Sequence, residues 1–278
     1  MVLQQTKTIG MLTPEITNPY FPELIVAAED EMRRQGYTSV LANVKESLPS
    51  SEAIAESLID YGVDALLTAC ARPDDLFITR LRKAGVPVVL VNRAHPALTD
   101  SMVVPDYEAG GAMVARHLLA LGHERIAYIA GPSRLEPSDA RLRGHLRELS
   151  KAGADYSRIA HVEKLSIEAG HRAALELLQT GSPPTAIAVA NDFCALGVLA
   201  ALPELGMRAP DDVAVVGYDD IWVSSLPSIR LTSVTTHTAR MGELAVRMAI
   251  DLIDRGAVSA EPIILEPELR IRQSTVAD

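Results

Sequence analysis

The sequence predicts an α/β fold built on parallel β-sheet, and three observations carry that prediction. Short uninterrupted apolar runs, such as Ala186 to Ala190 and Val213 to Val216, suit strands buried on both faces. Longer segments with apolar residues at helical spacing lie between such runs. Glycines at 36, 62, 85, 122 and 206 close several of these segments shortly before the next run, where glycine takes the left-handed conformation without steric cost. This alternation implies parallel strands covered by helices, with right-handed crossovers bringing every strand tip to one edge.

The first strand is Thr8 to Leu12, followed by a turn-rich tip from Thr13 to Pro19. Asn18 can cap the next helix and Pro19 fits its first position, after which Phe21, Leu24, Ala28 and Met32 mark one face as far as Gly36. Tyr37 to Ala42 reads as a strand, and Ile54, Leu58 and Tyr61 as a helix stripe ending at Gly62. Val63 to Thr68 is the third strand; the helix after it stops at Gly85, before the strand Val86 to Val91. A second set of units follows, with strands near Ser101 to Val104, Arg125 to Ala130 and Ile159 to Val162. Helices are expected over Tyr107 to Leu121, Asp139 to Ala152 and Ile167 to Leu178.

The stretch Thr185 to Asp219 is strand, polar tip, helix, strand, polar tip. Its helical pattern shows Leu196, Leu199 and Leu202 and ends at Gly206. Past Asp219 the order loosens at Pro227. A strand Leu231 to Thr235, a helix Arg240 to Arg255, and strands Ile263 to Leu265 and Leu269 to Arg272 finish the chain. The last helix and strands come too late to extend the second sheet simply, so one of them is expected to return to the first.

Ligands of open parallel sheets sit beyond the carboxyl ends of the strands. Asn191 and Asp219 fall there, and Asp192 either joins them or only caps the helix it precedes.

Composition bounds the function. With 278 residues, 48% hydrophobic and 22% charged, the chain is an ordinary globule of one large or two modest cores. It has no apolar stretch near the roughly 20 residues of a membrane span and no secretory core in MVLQQTKTIG, which points to a cytoplasmic protein. Cys70 and Cys194 have neither metal spacing nor disulfide density and read as small buried hydrophobes. A net charge of −10 without any Lys/Arg-rich run argues against nucleic-acid binding by these residues. The absence of GxGxxG, P-loop, GxSxG and metal-ligand motifs argues against an enzyme and against any cofactor or metal.

Eight stretches together resemble the effector-binding core of the LacI/GalR family of bacterial transcription regulators. They are IGMLTPEITNPYF (9–21), YGVDALLT (61–68), GVPVVLVNR (85–93), ALGHERIAYIAGP (120–132), ARLRG (140–144), PTAIAVANDFCALG (184–197), PDDVAVVGYDDI (210–221) and LTSV (231–234). The resemblance implies two doubly wound parallel-sheet lobes of the periplasmic binding protein type I fold, joined by three crossovers. The lobes would comprise 1–104 plus 236–264, and 105–235 plus 265–278.

The same resemblance implies a small-molecule effector held by Tyr20, Phe21, Asn92, Arg93, Arg141, Leu165, Asn191 and Asp219 in the cleft between the lobes. Leu165 stands where relatives often carry a stacking aromatic ring. An Arg fork, a carboxylate and an Asn amide suit the many donor-acceptor hydroxyls of a carbohydrate, and Tyr20 leaves a purine or nucleoside open. Leaving Arg141 or Asp219 unpaired in a closed site would cost roughly 1–3 kcal/mol, a basis for rejecting the wrong ligand.

Blander roles stand beside these. Arg141 can bridge Glu148 or Asp139 on a helix surface, Tyr20 and Phe21 can be plain core, and Trp222 suits either the cleft mouth or a subunit contact. The implied partners are a second copy of the chain and operator DNA. DNA would be reached only through an N-terminal helix-turn-helix that this sequence lacks, so truncation of a regulator is expected. The alternative is a periplasmic sugar-binding receptor of an ABC transporter.

Overall fold

The computed structural model describes residues 5–44, 48–96, 98–133, 135–155 and 157–277. The chain divides into two units, one made of 1–105 with 237–265 and the other of 106–236 with 266–278.

Unit one is a six-stranded sheet containing β1 (Thr8–Thr13), β2 (Thr38–Asn43), β3 (Ala65–Thr68), β4 (Val88–Val91), β5 (Met102–Pro105) and a late strand, Ile263–Leu265. The strand order is Ile263–Leu265, β5, β4, β3, β1, β2, all parallel. Helices α1 (Tyr20–Arg34), α2 (Leu48–Asp60) and α3 (Leu76–Lys83) follow the first three strands in turn. Leu58, Phe77 and Ile78 pack with Leu12, Leu66, Val88 and Leu90 to form a core. β3 and β4 are wholly apolar apart from Thr68, as strands covered on both faces must be.

Unit two repeats the plan with β6 (Ile126–Ala130), β7 (Ile159–His161), β8 (Ala186–Val189), β9 (Ala214–Asp219) and β10 (Thr232–Thr235). The helices are α4 (Tyr107–Ala120), α5 (Glu136–Lys151), α6 (Ile167–Leu178) and α7 (Asp192–Ala201). α4 and α5 cover one face through Val114, Leu118 and Leu149, and α6 and α7 the other through Ala174, Leu178 and Val198. α8 (Thr238–Arg255) returns to unit one and packs on α1. Then β11 (Ile263–Leu265), the late strand of the first sheet, and β12 (Glu268–Arg270) end up in different sheets.

Several expectations need correction. The second sheet is not purely parallel: β12 runs antiparallel to β10, pairing Arg270 with Ser233. It arrives directly from β11 across only Glu266 and Pro267, with no crossover helix to turn it parallel. Tyr61 does not belong to the stripe of α2, which ends at Asp60; the residue is 83% exposed. In α7 the buried positions are Asp192, Cys194, Ala195, Gly197, Val198 and Ala201, while Leu196 and Leu199 are half-buried, because glycine and small residues face the helix it packs on. α5 starts at Glu136, three residues earlier than expected, with Pro137 in its first turn. Pro19 is the N-cap of α1 rather than its first residue, and β9 runs on through Tyr218 to Asp219.

Candidate functional site

In unit two the carboxyl ends of β8 and β9 lead to the residues of interest. Asn191 follows β8 as the N-cap of α7, its Oδ1 accepting from the Cys194 amide at 2.9 Å, so capping falls to Asn191 and not to Asp192. Asp192 is the first helical residue and is wholly buried. Its Oδ2 accepts from the Ile221 amide (3.0 Å) and Ser224 Oγ (2.6 Å), and its Oδ1 from Ser233 Oγ (2.6 Å). Burial pushes this carboxyl up to about 8 despite those donors.

Asp219 ends β9 with φ 104° and Asp220 follows with φ 51°, both in the region that favours glycine. Such residues cost roughly 1–3 kcal/mol each and persist only where the surroundings over-determine them. The side chain of Asp219 is 10% exposed and faces Arg141, with Nη1 to Oδ1 at 3.3 Å. Burial raises the Asp219 carboxyl to about 7 against the pull of the guanidinium.

Arg141 is only 8% exposed, which sets aside the surface bridge to Glu148 or Asp139; Glu148 instead meets Arg116, Arg147 and Lys151. Its Nε donates to the Pro137 carbonyl at 3.0 Å, and its guanidinium lies over the rings of Tyr218 (4.7 Å) and Tyr107 (5.1 Å). Among the described residues these bonds use two of the guanidinium's five donors. The fork is therefore oriented from behind while its outer edge stays available for hydrogen bonding.

The depth of Arg141 comes from a backbone-to-backbone helix crossing. A Cβ on Gly111 would overlap the Arg141 carbonyl, and one on Gly144 would overlap the Glu108 carbonyl, so glycines on both helices let α4 and α5 touch. A Cβ on Gly110 would in turn overlap the Tyr218 phenol. The Gly110–Gly111 pair thus makes room for the ring under the guanidinium and for the helix that carries it.

In unit one, Tyr20 Oη donates to Asn92 Oδ1 at 2.7 Å. Tyr20 starts α1, its amide donating to Asn18 Oδ1 at 3.1 Å, and Asn92 follows β4 with φ 68°. Arg93 is 7% exposed, and its amide donates to the Val91 carbonyl at 2.7 Å. Phe21 is buried and meets Tyr20 edge-on at 5.2 Å between centroids. The structure therefore brings Tyr20, Phe21 and Asn92 together at one strand edge. Leu165 lies on the loop before α6, half-buried, packing on both cores of unit two. Trp222 is 62% exposed on a 3-10 turn, Trp222–Ser225.

Sequence reasoning missed the two tyrosine rings beneath Arg141, the Asp192 network, and the Arg272–Asp220 pair at 2.6 Å. The Gly110–Gly111 doublet inside a helix was the available signal, since such glycines mark close approach. Among the described residues no group of three or more His, Cys, Asp and Glu could hold a metal, and no helix is long and apolar enough to cross a membrane.

The family described as a periplasmic binding protein-like domain matches residues 115–275. The HTH-type transcriptional regulator MalR of Streptomyces coelicolor is 33% identical over 97% of this chain and 80% of its own length. The HTH-type transcriptional repressor PurR of Proteus mirabilis is 32% identical over 99% of this chain and 82% of its own. Among solved structures, the transcriptional regulator CelR–cellobiose complex superposes with TM-score 0.87 at 30% identity, covering 98% of this chain and 85% of that one. A LacI family regulator from Enterococcus faecium with bound ribose gives 0.85 at 28% identity, covering 97% and 98%.

Proposed function

Because the chain belongs to the LacI family of helix-turn-helix-type transcriptional regulators and carries their periplasmic binding protein-like domain, we propose that it senses a carbohydrate through Arg141 and Asp219. Asn191, Tyr20, Phe21, Asn92, Arg93 and Leu165 complete the proposed residue set. The carrying observation is the Arg141–Asp219 pair, buried and stacked on two tyrosines yet joined by one 3.3 Å contact. An arrangement that orients a fork and a carboxylate while leaving donors unused suits the donor-acceptor pattern of sugar hydroxyls. The cellobiose and ribose bound by two structural neighbours support a sugar over a nucleoside.

In this reading the effector binds one conformation of a homodimer more tightly and shifts its population, which an attached helix-turn-helix reads out on DNA. Relatives named as regulators along nearly the whole chain favour this over a transport receptor. The test is a thermal-shift screen of mono- and disaccharides and nucleosides on wild type, Arg141→Ala and Asp219→Ala. A sugar that stabilises wild type and neither variant is the expected result; a hit that stabilises all three equally removes the site.

A further inference from the structure

We propose that Asp192 is a positioning residue that ties the turn after β9 to the first turn of α7 and so holds Asp219 against Arg141; the inference rests on the effector reading of that pair. Among the described residues the Asp219 side chain makes one hydrogen bond, the 3.3 Å contact with Arg141, which does not account for its unusual backbone, so the bend at 219–220 must be imposed from elsewhere. The residues that follow it supply the hold. The Ile221 amide and Ser224 Oγ converge on one oxygen of Asp192. The other oxygen takes Ser233 Oγ, which itself accepts the Asp220 amide at 3.0 Å.

Residues 220, 221 and 224 are thus all fastened, directly or through Ser233, to one carboxylate. Helix capping does not explain that carboxylate, because Asn191 caps α7. Nor is its place an accident of packing, because a Cβ on Gly217 would overlap Asp192 Oδ1, and β9 leaves that room open with glycine.

The chain carries its own reporter. Trp222, its single tryptophan, stands between the two donors Ile221 and Ser224 and is largely exposed. The fluorescence anisotropy of Trp222, an exposed ring on a tied turn, therefore reads the freedom of that turn, and the 13Cγ titration of Asp219 reads whether its carboxyl keeps its surroundings. In Asp192→Ala, the anisotropy is expected to fall by about half and the Asp219 midpoint to fall from about 7 toward the ordinary carboxylate range. Asp192→Asn keeps an oxygen for the Ile221 amide and should retain most of both wild-type values.

A folded Asp192→Ala with wild-type anisotropy and titration overturns the proposal, as does Asp192→Asn behaving like Asp192→Ala, which would show that the retained oxygen ties nothing. If circular dichroism shows that Asp192→Ala does not fold, the Ser224→Ala, Ser233→Ala double variant decides, since it removes two hydroxyl partners and keeps the carboxyl. Lowered anisotropy there supports the tie, and unchanged anisotropy overturns it. No effector enters these measurements, so their outcome stands apart from that of the thermal-shift screen.

Discussion

Replacing Gly144 by alanine should damage the protein far more than one methyl group suggests. An ideal Cβ at 144 would stand 2.8 Å from the Glu108 carbonyl carbon and 2.9 Å from the Ala112 nitrogen, with the Glu108 oxygen closer still. All three are backbone atoms of α4, so no rotamer change relieves the overlap and the helices must part. Overpacking typically costs about 1–3 kcal/mol, and a contact with immovable partners belongs at the upper end, about 3 kcal/mol. For a unit of this size that lowers the melting temperature by about 6–12 °C. Gly181→Ala is the control: nothing lies within 4 Å of its Cβ position, so it should be neutral or slightly stabilising through the unfolded chain. Differential scanning calorimetry compares the three proteins. A Gly144→Ala protein that melts at or above wild type would show that α4 and α5 do not depend on backbone contact, and the explanation for the depth of Arg141 would fall with it.

Glu31 is buried, and hydrogen bonds led by Arg247 hold its carboxyl down at about 2, below the 4.5 of a free Glu. Its contribution is present above about 4.5 and is lost as pH falls through about 2, so the melting-temperature gap between wild type and Glu31→Gln should close over that window. His145 is wholly buried, and burial lowers it to about 4 from 6.5. Between those values the unfolded chain takes up a proton that the folded one does not. Stability should therefore decline as pH drops from 6.5 to 4, by up to about 3 kcal/mol, and denaturant titrations of His145→Met should lack that component. Arg141→Lys keeps the charge but loses the Nε bond to Pro137 and the planar stack on Tyr107 and Tyr218. The sugar found in the screen should bind it about 10- to 100-fold more weakly by calorimetry, with little change in melting temperature of the free protein.

Local chemistry explains which parts were legible. The helix-ending glycines were readable because left-handed geometry singles out glycine, and Gly36, Gly62, Gly85, Gly122 and Gly206 all have positive φ. Strand tips were readable because a buried apolar run must end where polar residues begin, which marked Asn191 and Asp219 as tip residues, whereas Asn92 came from the family resemblance. Periodicity misled at Tyr61, where the helix stops one residue short, and in α7, where Gly197 rather than leucine meets α6. Contacts between segments distant in the chain left no local trace. Nothing near Asp192 announces Ser224 and Ser233, and nothing near Arg141 announces Tyr218, some 80 residues on. Asn191 and Asp192 exchanged expected duties because either residue type can cap a helix, and only the partners decide.

The interleaving of the two units sets the order in which the chain can mature. Unit one lacks α8 and β11 until residue 265 has been made, and unit two lacks β12 and the bonds of Thr232 to Ser274 and Thr275 until residue 275 has been made. A ribosome delivering the chain from its N-terminus thus releases no finished half: α1 waits with Leu24 and Ala28 uncovered while more than 200 further residues emerge to supply Gly242 of α8. For the same reason a nonsense mutation anywhere before α8 leaves neither half complete, and such fragments are substrates for chaperones and proteases.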